Sequence, residues 1–262
     1  MPSLKDLRNR IDSVKSTKKI TQAMKMVAAS KLKKAQSLAE KSRSYSKGIE
    51  DIVKKIMFSE DYLDHPLIAK DKKNFKKSLV LVVSSDRGLC GGFNTNIIKK
   101  TRLLVKKLES DNKQVSIICL GKKGYDSLSI FNKENFDYTT KFINVSDIDY
   151  NALQNIGSKI IDEFYNENFN ECYILYNYFK SVMSQEVKTE KLLPYEKLES
   201  ERNKEEDIFY EFEPEVEEVL AKILPKNFIV QIYKSVLESR ASEQGARMTA
   251  MDNATRNAGE MI

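Results

Sequence analysis

Residues 84–94 read Ser-Ser-Asp-Arg-Gly-Leu-Cys-Gly-Gly-Phe-Asn. Their types and spacing come nearest to a chemical site. They follow an apolar run and precede a helical pattern, the place where the first N–H groups of a helix cradle a phosphate. The glycines, Gly88, Gly91 and Gly92, do not keep the G-x-G-x-x-G spacing, and no Gly-Lys-Ser/Thr completes a P-loop. Two readings stand: a nucleotide cradle, or a tight turn that brings helix and strand together. The sole histidine, His65, precedes Pro66 in a loop-like stretch and reads as a surface residue rather than a base or ligand. No G-x-S-x-G, no H-E-x-x-H and no Cys/His cluster occurs. Carboxylates are plentiful but sit in highly charged stretches, where only the fold could make an acid–base pair of them. No catalytic residue, metal site or cofactor is read. Cys90, Cys119 and Cys172 are widely spaced and odd in number, which predicts buried, inert thiols in a reducing compartment.

Charge supplies a second constellation. The total of 44 basic and 38 acidic residues nets only +6. Residues 1–47 hold 13 Lys or Arg against 3 Asp or Glu, a local net of +10. Residues 196–218 hold 11 acidic against 3 basic residues, a local net of −8. A basic rod of this kind is a solvated helix face, or it sits in an acidic sleeve or on nucleic acid. Residues 1–44 contain no aromatic side chain to stack on bases, which disfavours single strands and leaves duplex phosphates open. Within the rod, Met24, Lys25, Met26 and Val27 cover most of a helix circumference. One reading is ordinary coiled-coil packing; the other is that a helix apolar on several faces calls for partners on several faces, with Met side chains as an adaptable contact.

The elements that position these residues follow from periodicity. Residues 3–47 contain neither Gly nor Pro and are rich in helix formers. Ser3 and Asp6 form a capping signature, and apolar residues recur in steps of three and four from Leu4 to Ile56. A helix over residues 4–57 is predicted, roughly 80 Å long; lengths beyond about 25 residues indicate a coiled coil or shaft. The apolar runs 78–84, 115–120 and 171–176 predict buried strands. Helical patterns at 96–109 and 148–164 alternate with them, the second capped by Ser146 or Asp147. Residues 187–193 add an edge strand. That alternation predicts an α/β sheet with parallel pairs. Helical pattern resumes at Pro214, Pro225 is expected to kink or break it, and residues 226–262 form a second long helix. No apolar run approaches the about 20 residues that span a bilayer, and the N-terminus lacks an apolar signal core.

Three separated motifs carry a family resemblance. Residues 17–32, residues 85–94 and residues 241–255 (Ala-Ser-Glu-Gln-Gly-Ala-Arg-Met-Thr-Ala-Met-Asp-Asn-Ala-Thr) resemble the gamma subunit of F-type ATP synthases, in order and over essentially the whole chain. The resemblance implies a central rotor shaft without chemistry of its own. Its coiled coil turns inside a hexamer of alpha and beta subunits, and its foot rests with epsilon on a ring of c subunits. It implies a rotor–stator contact at Met24 and Lys25, facing an acidic loop of beta, braced by Gln244 and Arg247. It implies a c-ring contact at Phe212 and Glu213, with Phe replacing the family's Tyr. The Gly-rich turn becomes structural. No chloroplast-type insertion with two close cysteines is present, so thiol regulation is not expected. The family's last helix runs several turns beyond residues 258–262, so a cut or shorter tip is expected here.

The resulting expectation is α/β: a long antiparallel coiled coil of N- and C-terminal helices with an inserted Rossmann-like α/β domain. The shaft helix is placed at 1–60, the foot at 76–195 and the second shaft helix at 214–262. The protein is expected to be non-catalytic, without cofactor or nucleic acid. It meets the membrane only through its complex, on the cytoplasmic face of a bacterial inner membrane or the matrix side of a mitochondrial one. The alternatives are a basic coiled-coil nucleic-acid binder and a small nucleotide-binding enzyme.

Overall fold

A computed structural model describes residues 3–59, 65–69, 76–131, 149–196 and 215–262. The N-terminal helix α1 runs Leu4–Ser59. Its start is closed as the sequence suggests. The Ser3 hydroxyl donates to the Asp6 carboxylate at 2.8 Å, and the Asp6 N–H donates back to Ser3 Oγ at 3.2 Å. The C-terminal helix α5 runs Val216–Glu260. The helices pair antiparallel: Thr21 meets Thr255, Lys25 meets Asp252, Arg43 meets Glu238 and Ser46 meets Gln231. Small residues on the seam, Ala28, Ala39, Ala241 and Ala258, are buried and let the backbones approach.

Between them lie β1 (Lys77–Val83), α2 (Phe93–Ser110), β2 (Gln114–Leu120), α3 (Lys122–Phe131), α4 (Tyr150–Tyr165), β3 (Glu171–Phe179) and β4 (Gln185–Leu193). The sheet order is β2-β1-β3-β4; β1 pairs parallel with β2 and β3, and β4 closes the edge antiparallel. Beyond Lys77, β1 is buried on both faces, as a central parallel strand must be. One face packs α2 and α3 through Val80, Val82, Ile97, Val105 and Leu128. The other packs α4, α5 and the lower end of α1 through Leu79, Leu81, Leu153, Phe228 and Val53. At the amino end of the strands, buried Glu171 accepts from Ser78 Oγ and Lys113 Nζ, both at 2.6 Å, and from Tyr173 Oη at 3.1 Å.

Of the two outcomes expected at Pro225, a kink or a break, the break does not occur. The proline lies inside α5, and its neighbours Leu220, Leu224 and Phe228 are wholly buried on either side of it. Burial of the flanking turns outweighs the lost hydrogen bond. The cap of α4 is Asp149, whose carboxylate accepts from Ala152 N at 2.8 Å; Ser146 and Asp147 lie outside the described residues. Helix α3 was not anticipated: its ten residues are too few for the apolar period to stand out. The three thiols are free and buried. Burial pushes Cys119 up to about 12 and also raises Cys90 and Cys172, so none is a ready nucleophile.

Helix α4 approaches α5 at Gly157, where a methyl group would fall 2.6 Å from Ile229 Cγ1. Gly157→Ala should therefore cost about 1–3 kcal/mol of stability despite its better helix propensity. Adding Ile229→Ala should return less stability loss than the two single changes summed; thermal or urea unfolding of the variants checks this.

Candidate functional site

The upper shaft carries the motif residues. There α1 turns Thr21 and Ala28 toward α5, which answers with Met251 and Ala258, all buried. Thr255 Oγ1 donates to Thr21 Oγ1 at 2.7 Å across the seam. Ile20, Met26 and Val27 face away, 61%, 62% and 56% exposed. This is the several-sided apolar surface expected from their succession along one helix. Met24 and Lys25 are half-buried between seam and open face. Lys25 Nζ bonds Asp252 Oδ1 at 2.6 Å, an exposed pair that holds the Asp252 carboxyl below its usual range. Lys25 thus already has a carboxylate within its own chain. Nothing in the sequence singled out Asp252, because its partner is 227 positions away.

Arg247 lies lower. Its guanidinium bonds Glu243 on the same helix at 2.6 Å and reaches the carbonyls of Arg87 at 3.4 Å and Gly88 at 3.2 Å. Gln244 is half-buried one turn away. The structure brings Lys25 to Asp252 and Arg247 to the Gly-rich turn, as separate clusters. Phe212 and Glu213 lie outside the described residues.

The Gly-rich turn is filled by its own side chains. Asn94 accepts from the Ser85 N–H at 3.1 Å and donates to Ser85 Oγ at 2.8 Å and to Cys90 Sγ at 3.3 Å. Ser85 Oγ donates to the Arg87 carbonyl at 2.6 Å. Gly91 adopts φ +56° with its open side on Ala250, where a Cβ would lie 3.8 Å from the alanine methyl. Leu89 reaches φ 61° with its side chain exposed, so the loop takes two left-handed residues in close succession. Its exposed carbonyls receive Arg247, so the turn acts as a socket for α5.

Glu243 and Arg247 are both largely buried. Burial raises the Glu243 carboxyl and Arg247 opposes that rise. A raised carboxylate favours the fold below its unfolded value and loses that advantage as pH climbs through its folded value. Arg247→Ala should lift Glu243 further and cost about 3 kcal/mol near neutrality. The deficit should shrink as pH falls through the folded value of Glu243 and on below the ordinary carboxylate range, where the group is protonated in both states; unfolding curves across that range measure it.

The family profile for ATP synthase matches residues 3–262. The ATP synthase gamma chain of Pelagibacter ubique is 46% identical over 263 residues, which cover 100% of this chain and 90% of that one. That of Rhodospirillum rubrum is 44% identical over 276 residues, with the same coverage of 100% and 90%. Among solved structures, the central stalk and c-ring of Tetrahymena thermophila mitochondrial ATP synthase matches at 30% identity. Its TM-score is 0.68, covering 90% of this chain and 99% of that one. The rotor of Euglena gracilis mitochondrial ATP synthase, at 17% identity and a TM-score of 0.65 over 97% of this chain and 91% of that one, shares the fold. The nucleic-acid alternative draws no support from these matches. By profile, by identity along its whole length and by fold, the chain belongs to the ATP synthase gamma-chain family.

Proposed function

We propose that the α1–α5 pair turns inside a hexamer of alpha and beta subunits while the sheet domain rides, with epsilon, on the ring of c subunits. The chain is the central-stalk rotor subunit of an ATP synthase. It performs no chemistry in this reading and passes torque between sites that do. The division is a shaft at 1–60 and 214–262 and a foot at 76–195. The carrying observation is the antiparallel pair itself. Its upper part leaves Ile20, Met26 and Val27 open while small and polar residues close the seam. Such a surface offers exposed apolar contact area, which suits a partner that must slide past it. No helix among the described residues is long and apolar enough to cross a membrane, in keeping with attachment through the complex, on the cytoplasmic face in bacteria or the matrix side in mitochondria.

A rotor contact has to break at every step, so its ion pairs must stay weak and exposed. In this reading an acidic loop of beta approaches Lys25 and exchanges with Asp252. One carboxylate replaces another on Lys25, and the displaced Asp252, exposed at the surface, is left to water. Met24 supplies the sliding contact. Gln244 and Arg247 brace the root of the same region against the foot, and Phe212 and Glu213 approach the polar loops of the c ring.

Purified chain mixed with alpha and beta subunits should assemble with them and raise their multisite ATP hydrolysis. Failure of both assembly and stimulation overturns the rotor reading. In the assembled enzyme, Met24→Lys should add a cation beside Lys25, strengthen the hold of an acidic loop and lower the protons pumped per ATP. An unchanged ratio removes Met24 from that contact.

A further inference from the structure

The foot must be fixed to both shaft helices if it is to turn with them, and at the end of β3 hydrogen bonds tie all three. Strand β3 is longer than its neighbour: β1 pairs with it only as far as Leu175, whereas β4 accompanies it to Phe179. Beyond Leu175 the β1-facing edge of β3 has no strand beside it. An open strand edge in a protein interior is costly, because its N–H and C=O groups are left without water or partner. Here shaft side chains take the strand's place. The Asn177 N–H donates to Ser239 Oγ at 3.0 Å, and Ser242 Oγ donates to the Asn177 carbonyl at 2.9 Å. The Phe179 N–H donates to Glu238 Oε2 at 3.0 Å, and the Phe179 carbonyl accepts from Arg43 Nη2 at 2.7 Å. Three of these residues come from α5 and Arg43 from α1.

Arg43 also closes the circuit between the helices. Its Nε donates to Glu238 Oε1, and its Nη2 donates to Glu238 Oε2 at 2.8 Å, a two-pronged pair. The guanidinium carbon stands 4.6 Å from the centre of the Tyr178 ring. The Glu238 side chain is 1% exposed. Around the pair, Leu32, Ala39, Phe179, Leu237 and Ala241 form a small core of their own, shared by α1, α5 and the end of β3.

We propose that Arg43 and Glu238 are the positioning residues of rotary coupling: the pair, its carboxylate buried and its guanidinium partly open to water, is clamped to the overhanging end of β3 and keeps the shaft from slipping against the foot. The inference rests on the rotor reading above. Apolar contacts alone resist separation but are non-directional, so they tolerate a small rotation with little loss. The four strand-end bonds and the bidentate pair are directional. A twist of the foot about the shaft axis strains them together and strands a carboxylate without water. That is the steep side of buried electrostatics, whereas replacing both charges by apolar groups of similar volume is often harmless to stability. The two roles therefore separate. Arg43→Met with Glu238→Met should keep the fold, at a lower melting temperature because the Phe179 N–H and C=O lose their partners, while removing the directional lock.

The test uses the complete membrane-bound enzyme, assembled with wild-type or variant chain, and reads protons pumped per ATP hydrolysed. The wild-type assembly must pump; if it neither assembles nor pumps, the rotor reading fails and the joint is not at issue. With that control in place, the double Met variant should show a severalfold lower ratio, Arg43→Lys a partial loss, and Ser239→Ala with Ser242→Ala a smaller loss in the same direction. A purely structural pair would leave the ratio unchanged in a variant that is folded at the assay temperature. A wild-type ratio in a folded double Met variant overturns the proposal. Should that variant not fold, a wild-type ratio in both Arg43→Lys and the double Ser→Ala variant overturns it equally.

Discussion

A carboxylate that has lost its water must find every one of its partners in the protein, and Glu238 finds them in two other elements. Its oxygens meet the Arg43 guanidinium on α1 and the Phe179 N–H on β3. Satisfying it sets the register of the two long helices, the height at which the sheet hangs on them, and the direction in which β3 ends. The seam above and the core below are laid out from this point. Helix α5 accordingly is buried on nearly every side between Asn227 and Ser242, with the sheet and α4 around it as well as α1.

That burial also marks the boundary of what could be read from the sequence. Long helices advertise themselves through dozens of residues without Gly or Pro and a sustained apolar step, so α1 and most of α5 were legible. So were the strands, as short runs of Val, Leu and Ile between helical stretches. The polar interior of α5 was not. Asn227, Gln231, Ser235, Glu238, Ser239 and Ser242 are all buried, yet in a sequence they mimic the solvent face of an amphipathic helix. Their partners lie far away in the chain, and a single sequence carries no sign of such pairings. At Pro225 local propensity allows a break as well as a kink, and packing on both sides keeps the helix unbroken. On the upper shaft, motif resemblance found Met24, Lys25, Gln244 and Arg247, whereas Asp252 and Glu243 emerged only from geometry.

The Gly-rich turn shows how a fold's habitual ligand position can be put to other use. With β2 on one side of β1 and β3 on the other, the connections leave to opposite faces and open a crevice beyond the carboxyl end of β1. Open α/β sheets usually bind ligands there. Here the space receives Arg247 and Ala250 of α5, and the loop's own Ser85, Asn94 and Cys90 fill its interior. The carbonyls that stand outward at Arg87 and Gly88 suit a guanidinium, not a phosphate. The same backbone geometry that would hold a nucleotide in another chain seats the shaft in this one.

Cohesion between the two helices is unevenly distributed along their length. From Ala39 downward they share wholly buried apolar clusters with the foot. Above Ala28 they are joined by a threonine pair, one exposed ion pair and a few small side chains. Mechanically this is a cantilever: a beam clamped at its root and free to flex beyond the clamp. Work done on the outer part is stored there as bending before it reaches the clamp, so a stepwise load applied high on the beam arrives at the foot smoothed.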